Sequence, residues 1–95
     1  SSQCLVTIFS PQLLANSMDA VKALRENNIN CELYPDPSVK LDKQLKYADN
    51  KKIPFVIIIG PDEATKNIVT VKDLTTKTQT TKPLEDVVKL INEKN

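Results

Sequence analysis

"KLDKQLKYADNKKIPFVIIIG", running from Lys40 to Gly60, joins a lysine-spaced helical pattern to an almost wholly apolar strand. Leu41, Leu45 and Ala48 recur at the helical period and predict the buried stripe of a helix, with Ser38 as its cap. Pro54 to Gly60 reads as a strand that is apolar on both faces, which suits the centre of a covered sheet.

Upstream, Cys4 to Phe9 is short, apolar and β-branched, so it predicts a buried strand. Ser10 and Pro11 read as a cap and first position of a helix whose inward stripe is Leu14, Met18, Val21 and Leu24. That helix is expected to end at Asn27-Asn28, before a second strand from Cys31 to Tyr34. Downstream, Ile68 to Leu74 alternates like a strand with one solvated face, and Lys77 to Thr81 pairs with it as a hairpin. Pro83 then opens a last helix, with Glu85 and Asp86 favouring its dipole and Leu84, Val87, Val88 and Ile91 facing inward. The order β-α-β-α-β-β-β-α implies an α/β fold, a mostly parallel sheet with helices on both faces.

The chain has 95 residues and a net charge of +1, enough for one core and too balanced for a strong overall basic field. It is read as one domain over residues 1–95, with residues 1–3 set aside as a remnant outside the fold. No apolar run reaches the roughly 20 residues of a membrane span, so no membrane partner is expected. Cys4 and Cys31 stand in strand-like runs without metal-ligand spacing, and they read as buried free thiols of a reducing, cytoplasmic compartment, not as a disulfide. With a single glycine, neither GxGxxG nor GxxxxGK[ST] can exist, and with no histidine the common nucleophile–base pairs are absent. The inventory therefore points away from a self-contained catalyst, and no metal or cofactor is expected in this domain.

On a wheel at about 100° per residue, Lys40, Gln44, Tyr47 and Lys51 fall on one flank of the helix after Pro37. Asp42 and Asp49 fall on the other. Charge for phosphate, an amide for base edges and a ring for stacking are what single-stranded RNA needs. The plainer alternative is a solvated lysine face with the Tyr47 ring lying over the core edge. Ligands of open parallel sheets bind beyond the carboxyl ends of the strands, which here carry Phe9-Ser10, Tyr34-Pro35-Asp36 and Gly60 to Glu63.

The segments "ALRENNINCELYPD", "KLDKQLKYADNKKIPFVIIIGPDE" and "VTVKDLTTKTQ" closely resemble the C-terminal anticodon-binding domain of class II aminoacyl-tRNA synthetases, nearest to the histidyl enzymes. The resemblance runs from about Leu5 to Ile91. It implies a three-layer α/β/α domain with a five-stranded mixed sheet whose fourth strand is antiparallel. It also implies a parent enzyme, a homodimer using ATP and Mg, that joins histidine to tRNA through a catalytic domain this chain lacks. Matched residue by residue, it puts Lys40, Lys43, Gln44, Glu63, Lys72 (in "VKDL") and Gln79 at the anticodon. Relatives often carry glycine where this chain has Asn67 and Lys77.

The expected tRNA-contacting set is therefore Tyr34, Lys40, Lys43, Gln44, Tyr47, Glu63, Lys72 and Gln79. A carboxylate at Glu63 can accept from base amino groups or be a plain loop acid. Gln44 and Gln79 are base contacts or surface amides, Tyr34 a stacking ring or sheet-edge packing. The lysines suit phosphate, since a point charge is less selective than a fork. The leading reading is anticodon recognition. The alternative is an RNA-binding or regulatory domain of a synthetase-like protein that does not charge tRNA. A free-standing enzyme on a flavodoxin-like sheet lacks its phosphate loop.

Overall fold

The computed structural model describes residues 1–94. Its strands are β1 (Cys4–Val6), β2 (Cys31–Leu33), β3 (Phe55–Ile58), β4 (Val69–Asp73) and β5 (Thr78–Lys82). Its helices are α1 (Leu14–Glu26), α2 (Leu41–Asn50), α3 (Pro61–Lys66) and α4 (Leu84–Glu93), with a 3₁₀ turn at Pro11–Leu13. The strands form one five-stranded sheet in the order β2-β1-β3-β4-β5. β1 runs parallel to β2 and β3, while β4 is antiparallel to both β3 and β5.

Alternation along the strands sorts two cores. Cys4, Val6, Phe55, Ile57 and Val71 meet Ala20, Val21 and Leu24 of α1 and Val87 and Ile91 of α4. Leu5 and Val56 point the other way, onto Ala48 of α2. The three-layer α/β/α fold with an antiparallel fourth strand is thus realised. Leu5, Val56 and Ile57 are fully buried, each contributing about 1.5–3 kcal/mol by leaving water.

Several local expectations are corrected. α1 buries Ser17, Ala20, Val21 and Leu24, whereas Met18 is 53% exposed. The cause is Ser17, whose hydroxyl donates to the Thr7 carbonyl at 2.7 Å and rolls the helix toward that polar contact. Ser38 does not cap α2. Its N–H and hydroxyl both donate to Asp36 Oδ1, closing an Asx turn, and Lys40 takes the N-cap position. Ser10 and Pro83 occupy cap positions without side-chain cap bonds, and α3 is a helix that periodicity did not predict.

Four non-glycine residues take left-handed backbone: Asn28 after α1, Lys52 after α2, Asn67 after α3 and Lys77 in the hairpin. Asparagine tolerates this backbone, so Asn67 costs little, whereas Lys77 takes it with a β-carbon that the left-handed region disfavours. Lys77 is held by its N–H donating to the Asp73 carbonyl at 2.8 Å, across the four-residue connection. Cys4 and Cys31 are register partners on β1 and β2, and both are free and buried. Burial pushes both thiols up and keeps them protonated, with Arg25 partly opposing this at Cys31. Among the described residues no helix is long and apolar enough to cross a membrane.

Candidate nucleic-acid interface

The carboxyl edge of the sheet is built around Gly60, the residue after Ile59. Its φ of −92° is ordinary, so it is not glycine for the sake of a turn. Space is the reason: a Cβ there would lie 3.0 Å from Glu63 Oε1 and 3.3 Å from two ring atoms of Phe9. The Gly60 N–H donates to that Glu63 oxygen at 2.8 Å, the reach-back half of a capping box that starts α3. Glu63 is therefore a helix-capping acid that also borders a shallow groove with Asn16, Asp19, Asn67 and Glu85. Most of its lining is uncharged, and among its charged residues Asp19, Glu63 and Glu85 outnumber Lys66, so its field favours hydrogen-bond donors over phosphate.

Gln44 is not at a surface. It is fully buried, with Oε1 accepting from the Ile8 N–H at 2.8 Å and Nε2 donating to the carbonyls of Ile8 and Val39, each at 2.8 Å. The expectation of a base contact at Gln44 is overturned: every polar atom of its amide is committed to backbone. The helical wheel failed here because α2 is rolled toward this clamp, leaving Leu41 and Leu45 only half-buried. The clamp ties the first turn of α2 to the end of β1, so exposed Lys40 and Lys43 share that edge with Phe9.

Tyr34 and Tyr47 meet edge to face, with centroids 5.4 Å apart. The Tyr47 hydroxyl donates to Glu32 at 2.7 Å, and Lys51 lies 5.0 Å from the Tyr47 ring centre. Hydrogen bonds from Ser2 and Tyr47 hold the Glu32 carboxyl below its usual range, with Lys51 adding to the effect. This half-buried knot anchors α2 to the edge strand β2, and it engages both the hydroxyl and the ring of Tyr47. Of the expected set, Tyr34 and Tyr47 thus face each other, while Lys40, Lys43 and Glu63 share the carboxyl edge.

Lys72 and Gln79 are register partners on β4 and β5 and lie on the α2 side of the sheet. They border a depression with Asp49, Leu74 and Lys77, and Gln79 is exposed. Two residues are assigned no site role from the sequence, and Phe9 is expected in a buried strand. Phe9 is 45% exposed at the carboxyl edge although strand-like in sequence, and Asp73 is buried beside Lys94. The signal for Phe9 was its place at the end of an apolar run immediately before Ser10-Pro11.

The family model described as "Anticodon binding domain" matches residues 3–94. The chain belongs to this family. A histidine–tRNA ligase of Cytophaga hutchinsonii is 42% identical over 88 residues, covering 93% of this chain and 19% of that protein. The crystal structure of histidyl-tRNA synthetase from a Nostoc species superimposes with a TM-score of 0.92 at 28% identity, covering 98% of this chain and 22% of that one. The RNA-binding domain of a threonyl-tRNA synthetase from Cryptosporidium parvum shares the fold at a TM-score of 0.89 and 16% identity. The anticodon-binding domain thus spans about a fifth of the length of the curated relatives it matches.

Proposed function

We propose that this anticodon-binding domain recognises the anticodon loop of histidine tRNA as part of a histidine–tRNA ligase. The observation that carries the reading is the division of the carboxyl edge. Lys40 and Lys43 stand exposed on the α2 side, and Glu63 borders a groove where three acids outnumber one lysine. Backbone and bases of a splayed loop are thereby offered different chemistry, charge for the one and an acceptor for the other. Lys72 and Gln79 stand at the opposite end of the sheet, beside Asp49 and level with the start of β3, and form a separate point of contact on the α2 side. Tyr34 borders the carboxyl edge, and Gln44 acts only as the clamp beneath it. Likeness to histidine–tRNA ligases over nearly the whole domain supports the choice of tRNA.

In this reading the ligase activity, its ATP and Mg, its dimeric state and its cytoplasmic setting belong to the whole protein. This domain alone exchanges no pyrophosphate with ATP. A regulatory role in a non-charging relative uses the same RNA surface. A binding titration with two RNA hairpins tests the proposal, one carrying the histidine anticodon loop and one carrying an acceptor-stem sequence. Preference for the anticodon hairpin is expected; equal binding to both would refute it.

A further inference from the structure

We propose that Phe9 is a stacking platform for one unpaired base of the bound RNA, and that Glu63 accepts from that base's exocyclic amino group. The inference rests on the RNA reading above and deepens it. Among the four aromatic residues, Phe55 is buried and Tyr34 and Tyr47 are turned on each other. Phe9 alone leaves nearly half its surface, 45%, to solvent. An apolar ring left in water at the edge where α/β sheets bind ligands is unfavourable unless something covers it.

The backbone that carries the ring is firmly held. Thr7 gives its N–H and its hydroxyl to the Ile57 carbonyl, and its own carbonyl accepts from Ser17. Ile8 is clamped at both backbone groups by Gln44. The two residues before Phe9, just past the end of β1, are thus fixed by buried partners on β3, α1 and α2. On its inner side the ring lies against Gly60, where any side chain would meet it at 3.3 Å. A platform fixed in this way loses little freedom when a base settles on it.

Glu63 flanks the same glycine, 3.0 Å from where its Cβ would be. One carboxylate oxygen holds the Gly60 N–H, and the other has no hydrogen bond among the described residues. A ring for the base face and a free anionic oxygen for the base edge select a base with an amino donor over uracil. Stacking supplies affinity, and the carboxylate supplies the choice.

The chain contains no tryptophan, so Phe9→Trp gives a single indole reporter that can be excited selectively over Tyr34 and Tyr47. Phe9→Trp should bind the histidine-anticodon hairpin like the unaltered chain, with emission quenched on saturation. An abasic substitution at one loop position should abolish the quench. Phe9→Leu, which keeps the apolar volume without the ring face, should bind about tenfold more weakly, in line with the loss of one stacked base. Unquenched emission at full saturation by a labelled hairpin, or undiminished affinity of Phe9→Leu, would overturn the proposal and leave the RNA reading intact. Failure of the unaltered chain to bind any hairpin would remove that reading and this proposal together.

Discussion

Gln44 and Ile8 are joined by two hydrogen bonds of 2.8 Å, the side-chain amide of one closing on the backbone N–H and carbonyl of the other. In effect a side chain of α2 plays the part of a neighbouring strand for a residue just beyond β1. This fixes where the carboxyl edge begins. It also explains a fully buried amide in a helix otherwise flanked by lysines.

Removing the clamp leaves buried backbone groups of Ile8 and Val39 unpaired, each at about 1–3 kcal/mol. With some relaxation and water entry, Gln44→Leu should cost about 2–4 kcal/mol of stability in urea unfolding. The intact fraction should still bind RNA. A variant of normal stability with selectively weakened RNA binding would return Gln44 to the interface.

The Gln44 case shows where sequence reasoning succeeded and where it failed. The run Phe55–Ile58 was legible because a strand covered on both faces has no polar alternation to confuse it. The hairpin was legible from alternation in Val69–Asp73. Wheels assign polar residues outward by default, so Gln44 and Ser17, which bury their polar atoms on backbone, rotated both helices away from expectation. α3 has six residues and no buried stripe, so periodicity had nothing to detect. At the site, Lys40, Lys43 and Glu63 could be placed at one edge from topology. The Tyr34–Tyr47 contact and the exposure of Phe9 depend on side-chain packing that no spacing encodes.

Asp73 offers a pH test. Burial pushes its carboxyl up, but N–H donors of Thr76 and Thr75 and the Lys94 ammonium outweigh this and hold it below its ordinary value of 3.8. A depressed folded value means stabilisation present above the unfolded value and lost as pH falls through the folded one. Asp73→Asn should therefore be less stable than the unaltered chain at about pH 6, by about 1–2 kcal/mol, with the gap closing toward about pH 2.5. Urea unfolding at the two pH values measures it. A gap that persists in acid would mean that the charge is not its source.

Base reading and phosphate anchoring should separate by mutation. Glu63→Gln keeps an oxygen for the Gly60 N–H, so folding is preserved while the charge is removed. It should cost about 1–3 kcal/mol on the matching anticodon and little on a swapped one. Lys40→Ala or Lys43→Ala should weaken both alike and flatten the salt dependence by about one unit. Matched and swapped hairpins titrated against each folded variant decide it. Equal losses on both RNAs for Glu63→Gln would leave it a capping residue only.

The most direct measurement is the affinity of the unaltered 95-residue chain for the histidine-anticodon hairpin across a salt series, beside an anticodon-swapped hairpin and a duplex DNA. Weak, salt-sensitive binding is expected, with a slope corresponding to about two to four phosphates and with preference for the histidine anticodon. Binding that ignores salt, or that is as tight for duplex DNA as for the matched hairpin, would contradict anticodon recognition by this domain.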